Sequence, residues 1–238
     1  SAGSYPARRS VRITSATPGA VVRYTLDGSE PTETSTMVPV GDNLLVGSSG
    51  TVKARAFAGG TASLTTTADY LLTGKVLAGQ TVVVLKTDGT VWTWGRNGNV
   101  ARAGNGTLDP IAIEPVQILD SAIQIAGSAD HTLALKGDGT VWVWGNNNRG
   151  QAGVAPNPVS VPTTLPLQDI VQVAAANAFS AALSSSGVLY TWGTGPGGTM
   201  YVVTGPRTHT YTGCERIVGS GSHGVLCIPA DGIPRLIT

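Results

Sequence analysis

The chain of 238 residues has 12% charged and 41% hydrophobic residues and a formal net charge of +1. This length accommodates one or two domains, and the sparse, balanced charge together with 32 glycines is typical of a globular all-β protein and not of a disordered one. The charge balance argues against nucleic acid as a partner, and no run of about 18 apolar residues is present to span a membrane. Residues 1–5 have neither a basic start nor an apolar core, so they are not expected to form a signal peptide.

Residues 1–73 predict a small sandwich of short strands. Polar and apolar residues alternate over positions 10–14, 21–26, 51–57 and 64–71. After the second of these runs, Gly28 and Pro31 stand where a tight turn requires their backbone conformations. Several short strands at regular spacing favour a sandwich.

The stretch Ser-Ala-Thr-Pro-Gly-Ala-Val-Val-Arg-Tyr-Thr-Leu-Asp-Gly-Ser-Glu-Pro-Thr at 15–32, followed by Thr-Val-Lys-Ala-Arg-Ala-Phe at 51–57, resembles the chitobiase/β-hexosaminidase C-terminal-like domain. The resemblance implies an immunoglobulin-like accessory sandwich and not the hydrolase. Glycoside hydrolysis needs two carboxyl groups about 5 to 10 Å apart on a rigid floor. Asp27, Glu30 and Glu33 instead share one loop, and we interpret them as solvated turn residues.

Residues 74–238 are organised around a repeated aromatic motif. It occurs as Asp-Gly-Thr-Val-Trp-Thr-Trp-Gly at 88–95, Asp-Gly-Thr-Val-Trp-Val-Trp-Gly at 138–145 and Ser-Gly-Val-Leu-Tyr-Thr-Trp-Gly at 186–193. Copies about 50 residues apart indicate a propeller, a solenoid or an array. Residues two apart on a strand share a face, so we expect each aromatic pair in the core between stacked sheets, with sugar stacking as the alternative. The pairs are Trp92/Trp94, Trp142/Trp144 and Tyr190/Trp192.

Each copy predicts three strands joined by short turns. Ahead of the aromatic strand, residues 123–136 and 171–184 alternate twice around a break of small residues, which is typical of strand, turn, strand. The glycine of each motif is expected in a hairpin turn, and the long connector after the motif is a candidate for a fourth strand. The turn glycines are Gly89, Gly139 and Gly187, and the aligned core leucines are Leu85, Leu135 and Leu183.

Residues 126–135, the motif at 138–145 and Asn-Asn-Asn-Arg-Gly-Gln-Ala-Gly at 146–153 together resemble the regulator of chromosome condensation repeat. The family implies a β-propeller, usually of seven blades, which would need about 350 residues. A diverged copy at 217–228 brings the number of repeat units to three to four. We therefore predict an all-β chain, with an immunoglobulin-like sandwich at 1–73 and an incomplete propeller at 74–238. Such a chain is a fragment of a longer protein, or its open ends pair with another chain.

Residues able to carry chemistry are few. His131, beside Asp130 at a strand start, could be half of an acid–base pair. The aligned positions hold Phe179 and His223, so the position accepts an aromatic shape and we interpret His131 as structural. His209 has no identifiable partner, and the histidines and cysteines are too scattered for a metal site. With no nucleophile elbow and no phosphate-binding loop, neither enzyme activity nor a cofactor is expected.

Cys214 and Cys227 flank the strand–turn–strand of the fourth copy, so we expect them on adjacent antiparallel strands. The alignment places Cys227 at the position of Leu135 and Leu183. A disulfide requires Cα atoms within about 7 Å. The sequence is compatible with such a bridge, which would suit an extracellular protein, and equally with two buried thiols.

Two classes of function fit these features. The first is a non-catalytic structural protein of a secreted or cell-surface, bacterial assembly, such as a fibre. In that class the unpaired strand edges recruit copies of the chain itself or the remainder of a longer chain. The second is a protein-binding propeller of the inhibitor or adhesin type, since the resembled family includes an exchange factor for a small GTPase and a β-lactamase inhibitor. Glycan binding by the sandwich is a third hypothesis, based on analogy of fold alone.

Overall fold

The computed structural model describes residues 2–38, 43–155, 157–194, 207–209, 213–220 and 224–237. The chain divides into two compact units, Ser1–Gly74 and Lys75–Thr238. Both units are built from strands, which confirms the predicted all-β class. The described part of the chain contains no helix that is long and apolar enough to cross a membrane.

The described residues of the first unit form two sheets. Its strands are β1 (Gly3–Tyr5), β2 (Arg9–Val11), β3 (Val21–Thr25), β4 (Thr36–Met37), β5 (Leu44–Val46), β6 (Gly50–Ala58), β7 (Thr61–Ala62) and β8 (Thr66–Leu72). One sheet has the order β1-β8-β6-β3-β4, with β7 paired to β6, and the other pairs β2 with β5. The sequence predicted β3, β6 and β8, and its predicted strand at 10–14 overlaps β2 at 10–11. It missed β1, β4, β5 and β7, because their two or three residues show too little alternation.

The core of the first unit lies between its two sheets. Leu44 and Val46 of β5 pack against Val52 of β6 and Tyr70 of β8, and all four are buried. The Tyr70 ring stacks on Tyr5 with the ring centroids 6.1 Å apart. This arrangement is the predicted immunoglobulin-like sandwich.

The second unit is a series of antiparallel sheets. Its strands are β9 (Lys75–Leu77), β10 (Thr81–Leu85), β11 (Val91–Arg96), β12 (Ile111–Leu119), β13 (Ala122–Gly127), β14 (His131–Lys136), β15 (Val141–Gly145), β16 (Val159–Thr164), β17 (Ile170–Ala176), β18 (Phe179–Ser184), β19 (Leu189–Gly193), β20 (Arg207–His209), β21 (Cys214–Ser220), β22 (Gly224–Pro229) and β23 (Arg235–Ile237). We call the sheets β9–β12, β13–β16, β17–β20 and β21–β23 blades 1 to 4. The connectors supply the fourth strand of blades 1 to 3, and the prediction of three to four propeller units is confirmed.

The aromatic pair of each motif lies on one face of its strand. In blade 2, Trp142 pairs with Ala134 and Trp144 pairs with Thr132 on the neighbouring strand. Blade 3 repeats this register. Because side chains alternate along a strand, the aliphatic residues between the aromatic ones point to the opposite face. Each blade is therefore apolar on both faces and needs a neighbour on each side.

The blades stack face to face. Leu133 and Leu135 of blade 2 share one buried cluster with Val173 and Trp192 of blade 3. A second buried cluster joins blades 3 and 4 through Leu183, Leu189, Ile217, Val225, Cys227 and Ile237. The core of the second unit thus lies between the sheets and not within any one of them.

The Asp-Gly-Thr turns share one pattern of hydrogen bonds. The Asp138 carboxylate accepts hydrogen bonds from the backbone N–H of Thr140 at 3.0 Å and from its hydroxyl at 2.7 Å. The Thr140 hydroxyl holds the pKa of Asp138 below its ordinary value. The equivalent pairs are Asp88 with Thr90 and, in the first unit, Asp27 with Ser29. The turn glycines Gly28, Gly89, Gly139 and Gly187 have φ angles of 78°, 85°, 84° and 82°.

We predict that Asp138→Ala lowers the free energy of unfolding of the second unit by about 1 kcal/mol, because two hydrogen bonds to a carboxylate are lost. Chemical denaturation measures this change. Asp109→Ala is the control, since the Asp109 carboxylate is exposed and accepts no hydrogen bond from a described residue. Equal losses in the two variants would contradict the prediction.

Candidate functional site

Most of the predicted repeat residues lie at the seams between blades. Trp144 and Trp192 are buried, with 0% and 1% of their surface exposed. The half-buried members of the pairs are Trp92, Trp94, Trp142 and Tyr190. The leucines Leu85, Leu135 and Leu183 are buried on the opposite faces of their blades. The aromatic pairs of blades 2 and 3 are thus placed for contact with the preceding blade and not as open platforms for sugars. Trp92 and Trp94 lie on a face of blade 1 that no described blade covers.

Each buried indole rests on a glycine of the preceding blade. A Cβ atom on Gly104 would lie 2.5 Å from Cδ1 of Trp144, and one on Gly153 would lie 2.8 Å from Cδ1 of Trp192. Trp192 Nε1 donates a hydrogen bond to the backbone oxygen of Gln151 at 2.9 Å. Trp144 Nε1 is buried without a partner among the described residues. Two residues that are equivalent in the repeat therefore differ in their polar contacts.

His131, the one histidine with an acid neighbour in the sequence, is buried at the seam between blades 2 and 3. Its Nε2 lies 2.7 Å from Ser180 Oγ, and its Nδ1 lies 3.0 Å from Ser128 Oγ. Ser180 Oγ donates to the Gln151 carbonyl at 2.8 Å, so it accepts a hydrogen bond from Nε2–H. Nδ1 then accepts from the Ser128 hydroxyl. This network holds a neutral imidazole with both ring nitrogens satisfied.

The surroundings of His131 keep it neutral and out of reach. Burial lowers the pKa of His131 to about 4, although the Asp130 carboxylate acts in the opposite direction. Asp130 itself forms a salt bridge to Arg102 of blade 1 at 2.6 Å. A histidine with 1% exposure cannot meet a substrate, so these contacts indicate a structural role. The aligned His223 lies outside the described residues, and only the backbone of His209 is described.

A cavity of about 490 Å³ opens at the seam between blades 1 and 2. The ion pair of Arg102 and Asp130 lines it, together with Val83 and Ser128. Arg102 Nε donates to Asp130 at 2.8 Å, and Arg102 Nη1 donates to the Asn97 carbonyl at 3.2 Å. The charges in this cavity are therefore already paired within the protein. Throughout the described ranges, no three His, Cys, Asp or Glu side chains are close enough to hold a metal ion.

Two glutamines that were not among the predicted site residues join the innermost strands of successive blades. Gln124 Oε1 accepts from the backbone N–H of Val173 at 3.0 Å, and Gln124 Nε2 donates to the Val173 carbonyl at 2.9 Å. Gln172 Oε1 accepts from the backbone N–H of Ile217 at 2.8 Å. Each glutamine follows a register shift in its strand pair. The signal in the sequence was a glutamine between two aliphatic residues at the same place in two repeats.

Cys214 and Cys227 form a disulfide with their Cα atoms 5.7 Å apart, so the bridge and not the pair of thiols is present. It links β21 to β22. The predicted alignment of Cys227 with Leu135 and Leu183 was wrong, because the fourth copy has one additional residue between its paired positions. Arg216 pairs with Ile228, 12 residues later (228 − 216), whereas Gln172 pairs with Leu183, 11 residues later (183 − 172). Cys227 packs toward blade 3. Ile228 occupies the register position of the leucines, since it pairs with the residue that follows the register shift.

Blade 4 has an apolar face that no described blade covers. We call it the open face, and it consists of Arg216, Val218, Leu226, Ile228 and Leu236. Val218 and Leu236 are 41% and 44% exposed. Leu226 and Ile228 are half-buried. The leucine at the register position of Ile228 in blade 3 is Leu183, which is 2% exposed because blade 4 covers it.

The acidic loop of the first unit forms surface contacts. Glu30 pairs with Lys53 and accepts a hydrogen bond from the Thr65 hydroxyl at 2.6 Å. The hydrogen bond from Lys53 lowers the pKa of Glu30. Glu33 is exposed, and Asp27 stabilises its own turn. These contacts are those of turn and ion-pair residues.

A groove of about 670 Å³ lies on the first unit. Val22, Ala54 and Ala68 contribute to its apolar lining, and Ser15 and Ser63 contribute hydroxyl groups. Arg12, Arg55 and Tyr70 also line it, so the groove combines apolar surface with hydrogen-bonding groups.

Two families match separate parts of the chain. Residues 1–68 match the chitobiase/beta-hexosaminidase C-terminal domain. Residues 122–151 and 138–183 match the regulator of chromosome condensation (RCC1) repeat. Both resemblances inferred from the sequence are thereby confirmed. No curated protein sequence matches the chain.

Three solved structures share the fold. Yeast RCC1 (Prp20) bound to Kap60 is 20% identical with a TM-score of 0.55, and the match covers 81% of this chain and 52% of that one. Human WBSCR16 is 22% identical with a TM-score of 0.56, covering 76% and 55%. Prp20p from Saccharomyces cerevisiae, described with its binding to Gsp1p and histones, is 19% identical with a TM-score of 0.54, covering 72% and 50%. The chain therefore spans about half the length of these structures, and identities this low establish the fold alone.

We predict that Trp144→Phe destabilises the second unit less than Trp192→Phe does, by about 1 to 2 kcal/mol. The first change removes a buried N–H that has no partner among the described residues, whereas the second breaks the hydrogen bond to Gln151. Urea unfolding of the two variants gives the difference directly, and each serves as the size-matched control of the other. A larger loss for Trp144→Phe would contradict the assignment.

We predict that His131 makes the second unit sensitive to acid. The unfolded chain binds a proton at this residue near pH 6.5, but the folded chain does so only near pH 4. The contribution of His131 to the free energy of unfolding is therefore fully present above pH 6.5. It falls by about 3 kcal/mol as the pH drops to 4. His131→Gln removes this contribution while the carboxylates of both proteins titrate alike. The test is the unfolding free energy of each protein at several pH values, and parallel curves would show the prediction to be wrong.

Proposed function

We propose that this chain, in which a chitobiase/beta-hexosaminidase C-terminal domain precedes regulator of chromosome condensation (RCC1) repeats, is a non-catalytic scaffold. In this proposal it binds protein partners within a secreted or cell-surface assembly of a bacterium. The observation that carries the proposal is that reactive side chains are used in packing. His131 and Ser180 are buried in one hydrogen-bond network, and Arg102 and Asp130 are paired with each other.

Protein partners are supported by the surface that remains. The open face of blade 4 exposes aliphatic side chains, and apolar patches of this kind mark sites of protein contact. One relative of the same fold, yeast Prp20, has a structure in complex with the protein Kap60. An extracellular setting is supported by the disulfide between Cys214 and Cys227, because such bonds persist in oxidising compartments.

We predict that the purified chain binds saturably to surface proteins extracted from its source cells. Protease treatment of the extract should abolish the binding because the partner is a protein, and periodate treatment, which oxidises sugars, should leave it intact. Surface plasmon resonance on the immobilised chain measures both, with heat-denatured chain as the control. Sensitivity to periodate alone would instead support glycan binding, and turnover of a substrate would overturn the non-catalytic assignment.

A further inference from the structure

The seams within the second unit follow one rule of packing. The aromatic face of a blade packs on the aliphatic face of the blade before it. Trp192 of blade 3 lies in one cluster with Leu133 and Val143 of blade 2. Trp144 of blade 2 rests on Gly104 of blade 1. The second unit is therefore directional, with one kind of face pointing forward and the other pointing back.

The direction of the stack leaves one face of each kind without a neighbouring blade in the described chain. Blade 4 presents the open face defined above. Blade 1 presents the opposite kind, which we call the aromatic face and which consists of Val82, Val84, Trp92 and Trp94. Its register is that of the faces by which blades 2 and 3 contact their predecessors, since Val82 pairs with Trp94 and Val84 with Trp92.

We propose that the open face of blade 4 receives the aromatic face of blade 1 from a second copy of this chain. The pairing would continue across two molecules the same seam that joins blades 1 to 2 and 2 to 3. It rests on the proposed scaffold function and names its partner. The contact uses two different surfaces, so the copies associate head to tail, and such a contact either closes into a ring or extends into a filament.

Arg216 is expected to weaken the association between two copies. It follows the same register shift that Gln124 and Gln172 follow in their blades. Gln124 both donates to and accepts from the facing backbone, which requires an amide. A guanidinium group only donates. The junction between copies therefore lacks one hydrogen bond that the seams between blades 2 and 3 and between blades 3 and 4 contain, and association is weaker than packing at those seams.

Substitution of Arg216 provides a test in which the affinity between copies should increase. Arg216 is exposed, so Arg216→Gln should leave the fold unchanged and restore the missing acceptor. One added hydrogen bond tightens association by about fivefold. Sedimentation of the 238-residue chain over a wide concentration range should show masses above 24.2 kDa that rise with concentration. The variant should reach them at lower concentration.

Loss of function is tested on each face separately. Val218→Asp charges the open face, and Val84→Asp charges the aromatic face. Each variant should be monomeric alone, but their mixture should form a capped dimer through the one intact pair of faces. Circular dichroism checks that both remain folded, and Trp92→Gln replaces Val84→Asp if that variant unfolds. Ile113→Asp is the control, because Ile113 is 80% exposed and belongs to neither face.

The outcomes are distinct. Self-association by Val84→Asp alone would overturn the head-to-tail pairing, since the open faces would then be binding each other. A chain that remains at 24.2 kDa under all conditions would also overturn it. If that monomer still binds surface proteins, the scaffold function stands and only the second copy as partner is wrong.

Discussion

The second unit depends on the contact between an indole and a glycine of the preceding blade. Trp144 and Trp192 are buried because Gly104 and Gly153 leave room for their rings, where a single Cβ atom would collide. A blade that is apolar on both faces exposes too much apolar surface to be stable alone, so it folds only with neighbours. The direction in which the aromatic faces point then sets the order of the stack.

The buried polar residues of the second unit also hold neighbouring blades together, through hydrogen bonds. Gln124 and Gln172 satisfy backbone groups across the innermost strands. His131 bonds to Ser128 within its own blade and to Ser180 across a seam. Buried polar groups that are fully hydrogen-bonded specify one arrangement of their neighbours. Groups committed in this way are not free to act on a substrate. The same contacts that align the blades therefore favour a function based on surfaces.

Blade 4 has one described neighbouring blade and is also stabilised by a disulfide. One face packs on blade 3, whereas Val218 and Leu236 on the open face are partly exposed. The disulfide between Cys214 and Cys227 ties its first two strands together. A covalent link of this kind stabilises the hairpin chiefly by restricting the unfolded chain. The bridge thus lies in a blade that has one described neighbour.

The repeat spacing, the aromatic pairs and the Asp-Gly turns determined the all-β class, the blades and the hairpins from the sequence alone, because strand periodicity and turn chemistry are local. Only the tertiary structure decided which indole has a hydrogen-bond partner, which glutamines join the blades, and that the two cysteines are bridged. It also corrected the position of Cys227, since one additional residue between the paired strands shifts the second strand by a residue and reverses the face on which each side chain lies. Such features depend on which side chains the fold brings close together, within a blade or between blades. The order of residues along the chain does not give the distance between those side chains.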